Sequence, residues 1–192
     1  MALIMSSSRK RKVILDQKDI EQALKGIAQQ VTSRHKSLKD IVVVGIRTGG
    51  AFLAYRLRDE ISKKDGQEPL TGILDINLYR DDWTRIGPNP KVGSTEIPFS
   101  VDDKIIVLVD DVLFTGRTVR AAMDALIDLG RPKKIELAVL VDRGEEQREL
   151  PIKANYVAKE WHTPSGETIN VYLKEEGFQD QVVVEEKGGN FK

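Results

Sequence analysis

Cysteine is absent from the 192 residues, which excludes disulfides, a thiolate nucleophile and cysteine-based zinc. Histidine is nearly absent: His35 and His162 stand far apart and suggest no metal cage. No apolar run approaches the ~18 residues of a membrane span. The first residues place a short apolar stretch ahead of a basic Arg9-Lys-Arg-Lys12 run, the reverse of a secretory signal, so a cytoplasmic protein is expected. An excess of charge of either sign is missing too. Thirty basic and thirty acidic residues cancel, so no global field recruits nucleic acid or an anionic membrane, and an RNA partner would need a local patch. No internal repeat is visible. The length suits one domain with a sizeable core, expected over 13–186, with polar tails at 1–12 and 187–192.

What the chain does contain is organised around Ile105–Thr118. Ile105 to Val109 is an unbroken aliphatic run, the signature of a parallel strand buried on both faces. Asp110 and Asp111 follow at the strand's carboxyl end, where open α/β sheets hold their ligands. After Val112, Leu113 and Phe114 comes Thr115-Gly116-Arg117-Thr118, and then a helical spacing of Val119, Ala122, Met123, Leu126 and Leu129 that Gly130 and Pro132 stop. The loop therefore opens a helix whose free N–H groups and dipole attract an anion. The hydroxyls and the Arg117 guanidinium add donors suited to phosphate. Two carboxylates one step before a phosphate cup fit a ribose 5-phosphate, the acids accepting from its hydroxyls. The plainer alternative is an Asp pair capping an ordinary strand end. A receiver-like domain that uses the acids as metal ligands would have no need of the cup.

A second strand–glycine–helix unit precedes this one. Ile41–Ile46 leads into Arg47-Thr48-Gly49-Gly50, and Phe52, Leu53, Leu57 and Ile61 then turn inward on a helix. Val13–Leu15 is expected as a strand, and Asp16 as the cap of a helix with Ile20, Ala23, Leu24, Ile27 and Val31 buried. Ile73–Tyr79 alternates as a strand with Leu74, Ile76 and Leu78 on one face. Residues 83–98 carry too much glycine and proline for a regular element and read as a long loop. Ile135–Val141 is another buried strand, ended by Asp142-Arg143-Gly144. Asn155–Ala158, Ile169–Leu173 and Gln181–Val184 finish the sheet or a small hood above it.

The Ile105–Thr118 stretch resembles the phosphoribosyl-pyrophosphate (PRPP) motif of type I phosphoribosyltransferases, and the resemblance runs from about Val13 to Val184. Within that family the chain is most similar to the uracil-specific members that also regulate pyrimidine operons by transcription attenuation. The resemblance implies an α/β fold with a central, mostly parallel sheet flanked by helices, a small hood and a flexible lid loop. It implies a magnesium-dependent conversion of uracil and PRPP to UMP and diphosphate. Val109 to Thr118 would bind PRPP, with Asp110, Asp111 and Arg80 in catalytic roles. Arg47, Thr48, Gly49 and Gly50 would form the pyrophosphate loop. Arg143, Lys159 and Trp161 would lie against the base, Trp161 stacking on it. Magnesium would be held by the ligand's oxygens, with Asp110 and Asp111 the nearest protein groups. Implied partners are PRPP, uracil, UMP and pyrimidine-operon leader RNA, and a homodimer or higher homo-oligomer.

The sequence departs from the family in three places. Gly49 stands where an arginine is expected, Glu145-Glu146-Gln147 lengthens a connection, and Trp161-His162 replaces an aliphatic residue and a proline. For RNA, the first helix offers few cations, with Lys25 the main one. Arg148, Lys153, Lys159 and Arg9 to Lys12 are the other candidates, and a nucleotide-sensing RNA regulator with weak transfer activity is the rival reading.

Overall fold

Asp16 ends the first strand and starts the first helix. In the computed structural model, which describes residues 11–81, 94–164 and 166–186, β1 (Arg11–Leu15) passes into α1 (Gln17–Arg34) through a reciprocal cap. The Asp16 carboxylate accepts from the Asp19 N–H at 2.9 Å, and the Asp19 carboxylate from the Asp16 N–H at 3.0 Å. Donors that a helix start leaves unpaired are thereby satisfied. Ile20, Leu24, Ile27, Ala28 and Val31 form the buried stripe, as their spacing predicts. The strand begins at Arg11, two residues before the expected Val13, because Arg11 and Lys12 pair with Glu185 and Val184. The tails at 1–10 and 187–192 lie outside the described residues.

Five strands form the central sheet: β2 (Ile41–Ile46), β3 (Leu70–Leu74), β4 (Ile105–Leu113), β5 (Lys134–Asp142) and β6 (Tyr156–Glu160). Their order is β3-β2-β4-β5-β6, and every neighbouring pair is parallel. The helices α2 (Gly49–Asp65) and α3 (Arg117–Asp128) make two of its crossovers. Successive strand side chains point to opposite faces, and both faces are covered. Val43, Val107, Val109, Ala138 and Leu140 pack with α1 and α2, whereas Val42, Val44, Ile106, Leu108 and Val139 pack with α3. This double burial is why the strands read as continuous apolar runs. From β2 the chain crosses to β3 on one side, and from β4 to β5 on the other. The carboxyl ends of β2 and β4 therefore flank the crevice where such sheets bind ligands.

The hood is a separate antiparallel sheet, β1-β8-β7, built from β7 (Glu167–Tyr172) and β8 (Gln181–Glu186) with the amino-terminal strand. Of the late segments, residues 156–160 thus join the main sheet and the other two form the hood. The expected strand at Ile73–Tyr79 is corrected: β3 runs from Leu70 to Leu74 and then turns. The Asp75 carboxylate accepts from the Asn77 N–H at 2.8 Å, and the Tyr79 N–H donates to the Ile76 carbonyl at 2.9 Å. Leu78 is consequently 69% exposed and shares no face with Leu74. Of the long loop at 83–98, residues 83–93 lie outside the described residues, as does Asp82. Glu96 exchanges backbone hydrogen bonds with Ile73 at 2.7 and 2.8 Å.

Candidate active site

The two acids are strand residues. Asp110 and Val112 keep their register with Val139 and Val141, so β4 continues past the expected Val109 to Leu113. Asp110 is buried, and its Oδ1 accepts from the Asp111 N–H at 3.0 Å. Asp111 is half-buried, with Oδ1 accepting from the Val112 N–H at 2.7 Å. Burial raises both pKa values above the ordinary carboxylate range, and the Asp111 charge pushes Asp110 further.

Beyond them the chain turns through Phe114, Thr115 and Gly116 into α3. Gly116 adopts φ +91° and has no side chain to cap the helix, and Thr115 Oγ1 accepts only a long bond of 3.4 Å from the Arg117 N–H. That leaves α3 with unpaired N–H groups facing a cavity of about 590 Å³, lined by Arg80, Asp81 and residues 112 to 119. Gly116 also rests on Leu150 and Ile152, so the loop has a floor. Arg117 lines the cavity with its guanidinium already paired. Its Nε donates to Glu149 at 2.6 Å and its Nη1 to Asp81, so the guanidinium ties the cup's rim to the root of the long loop.

The second loop is packed directly against the first. A Cβ on Gly49 would stand 2.6 Å from Asp111 Oδ2, and one on Gly50 would stand 2.4 Å from the Val109 carbonyl oxygen. At Gly50 the obstacle is backbone and only glycine allows the approach, whereas at Gly49 a side chain would require the Asp111 carboxylate to shift. Thr48 gives α2 no side-chain cap, so a second free helix start lies beside Asp111. Arg47 is directed elsewhere, its Nη2 donating to the Ser94 carbonyl at 3.0 Å and to Glu96 at 3.3 Å. A further cavity of about 410 Å³ opens under the hood, lined by Asp111, Val112, Asn170, Tyr172, Glu176 and Phe178 among others. Burial and the Asp111 charge raise the pKa of Glu176 there.

On the other flank the expected base contacts form a frame. Arg143 is buried; Nε and Nη2 donate to Thr163 Oγ1 at 2.9 and 2.5 Å, Nη2 donates to the Glu167 carbonyl at 3.2 Å, and the guanidinium lies 3.8 Å from the Phe114 ring centre. Gln147, from the lengthened connection, donates to the Thr163 carbonyl at 2.5 Å. Trp161 is half-buried against the core, with Lys12 Nζ 4.6 Å and Lys159 Nζ 5.7 Å from its ring centre. Arg148 is not a surface cation: its side chain is 7% exposed, which removes it from the RNA candidates. Sequence reasoning missed Asp81, Glu149, Asp142, Glu176 and Thr163. Nothing local marks them, because each meets the site only through the fold.

The phosphoribosyl transferase domain family matches residues 10–168. This chain is 53% identical over 175 residues to the bifunctional protein PyrR of Desulfosudis oleivorans, covering 91% of this chain and 96% of that one. It is 51% identical over 177 residues to the bifunctional protein PyrR of Pelotomaculum thermopropionicum, covering 92% and 97%. In fold it is similar to a hypoxanthine-guanine phosphoribosyltransferase from Bacillus anthracis, at a TM-score of 0.69 and 18% identity over 91% of this chain and 97% of that one. The chain belongs to the phosphoribosyl transferase family and, within it, to the bifunctional PyrR group.

Proposed function

We propose that the protein transfers a phosphoribosyl group from PRPP to uracil, giving UMP and diphosphate, and that it also binds pyrimidine-operon leader RNA with the same site as its UMP sensor. The observation that carries the transfer reading is the open start of α3 one short turn after a buried carboxylate, Asp110, and a half-buried one, Asp111. The amide cup takes the 5′-phosphate, Asp110 and Asp111 accept from the ribose hydroxyls, and the Thr48–Gly50 loop takes the pyrophosphate. The C1–O bond to diphosphate breaks as a uracil nitrogen bonds to C1 and gives up its proton. The protein's share is positioning and electrostatic stabilisation of the separating charge. Among the described residues, no three His, Asp or Glu side chains form a metal cage. The donor set fits magnesium carried on the oxygens of PRPP, with Asp111 the protein group beside the pyrophosphate loop; bound there, it supplies neutralisation of the leaving diphosphate.

The second role is supported by the bifunctional name of the relatives. Among the described residues no helix is long and apolar enough to cross a membrane, and a cytoplasmic setting is part of the proposal. So is a homo-oligomer, in keeping with exposed Leu70, Leu78, Ile127 and Leu129. The deciding experiment is initial-rate measurement with PRPP and magnesium against uracil, hypoxanthine and guanine. Turnover of uracil alone supports the reading; turnover of a purine, or UMP binding without turnover, overturns it.

A further inference from the structure

The phosphate cup is shaped from behind. The Phe114 carbonyl accepts from Arg148 Nη1, and the Thr115 carbonyl accepts from the N–H groups of Glu149 at 3.0 Å and Leu150 at 3.2 Å. Both peptide bonds that follow these carbonyls are trans. In a trans peptide the C=O and the next N–H point in opposite directions. Two carbonyls held on the 148–150 side therefore turn the Thr115 and Gly116 N–H groups toward the cavity.

Arg148 is placed for this task at some cost. Its Nη2 donates to Asp142 Oδ1 at 2.5 Å, an oxygen that also accepts from the Gly144 N–H at 2.9 Å. Its Nε is buried and has no partner among the described residues. A buried donor left unpaired is unfavourable, so packing stability alone does not account for the position.

We propose that Arg148 is a positioning residue for 5′-phosphate recognition, clamping the Phe114 carbonyl and the end of β5 at Asp142 behind the loop. This rests on reading the loop as the 5′-phosphate site. Without the clamp, the Phe114 carbonyl is free to turn into the cup and present partial negative charge where the anion sits. The contact is made with the backbone, so no side chain in the loop reveals it.

The test compares wild type, Arg148→Met and Arg148→Lys by calorimetric titration with ribose 5-phosphate, UMP and uridine, alongside thermal melts and KM values for PRPP and uracil. Loss of one charge-assisted bond should weaken ribose 5-phosphate and UMP by about tenfold or more, with PRPP KM rising in step. Uridine affinity and uracil KM should stay within about twofold, because neither ligand carries the phosphate. The lysine, which keeps the charge but reaches only one acceptor, should fall between. Wild-type affinity for ribose 5-phosphate in Arg148→Met, or an equal loss of UMP and uridine, overturns the proposal. If the methionine variant does not fold, the lysine variant decides: unchanged ribose 5-phosphate affinity overturns it. Wild type that binds ribose 5-phosphate but turns over no uracil defeats the functional reading and leaves the clamp standing. Wild type that binds no phosphate defeats both.

Discussion

At Gly49 a single methyl group is enough to disturb the site. Its Cβ position lies 2.6 Å from Asp111 Oδ2, so Gly49→Ala must displace the carboxylate expected to hold the ribose. A displacement of about 1 Å in a group that positions substrate costs about a hundredfold in catalysis. Steady-state kinetics should therefore show kcat/KM for PRPP falling by about that factor, with little change in the melting temperature. Asp110 should behave in the opposite way toward stability. Burial, followed by the neighbouring charge, raises its folded pKa, so the folded protein holds a proton that the unfolded chain releases near pH ~4. Stability is thus lost as pH rises from there through the raised folded value. Asp110→Asn removes the buried charge; denaturant midpoints should rise at neutral pH while turnover drops by about tenfold or more.

Between elements, the hood is fastened to α2 by one guanidinium. Arg56 donates to Glu175 at 2.5 and 2.8 Å and to Asp180 at 2.7 and 2.9 Å, and Asp180 also accepts from the Lys174 N–H at 2.7 Å. The group is neither fully exposed nor fully buried, so its loss should cost ~2 kcal/mol, between values for surface and buried pairs. Arg56→Met is expected to lower the urea midpoint accordingly. With that tie removed, hydrogen exchange should speed up across 174–186. A variant with unchanged exchange there would mean that the β1–β8 pairing alone holds the hood.

Across the whole molecule the two ends of the sheet do different work. The carboxyl ends hold the site, and a buried carboxylate closes the other end. Glu136, 0% exposed, accepts from Lys134 at 2.6 Å and Tyr156 at 2.5 Å and lies 2.8 Å from His35 Nε2. Burial pushes its pKa up, but the bonds from Lys134, Tyr156 and His35 outweigh that and hold it at about 2. A depressed folded pKa contributes stability that is fully present above the unfolded value of ~4.3 and is lost as pH falls toward the folded one. Glu136→Gln should therefore cost ~1–3 kcal/mol at pH 7. In urea melts across pH, its gap to wild type should narrow below pH ~4. A gap constant down to the acid limit would locate the loss in packing instead.

How much of this could be read beforehand follows from the range of each interaction. Apolar runs at Ile41–Ile46 and Ile105–Val109, the Asp16–Asp19 cap and the Thr115–Thr118 helix start are encoded within a few residues, and the structure places all of them where their spacing predicts. The strand expected at Ile73–Tyr79 was misread because alternation cannot reveal that the Asp75 carboxylate bonds the backbone two residues on. The roles of arginines were the least legible. Arg47, Arg117, Arg143 and Arg148 sit in or beside the motifs, yet their partners lie 20 to 49 residues away in the chain for the first three, and 6 and 34 away for the last. A long side chain with five donors carries no local preference for its acceptor. Sequence alone therefore determined the strands, the glycine turns and the paired acids, while the tertiary structure decided which distant acceptors each guanidinium holds, because those acceptors are brought to it only by the fold.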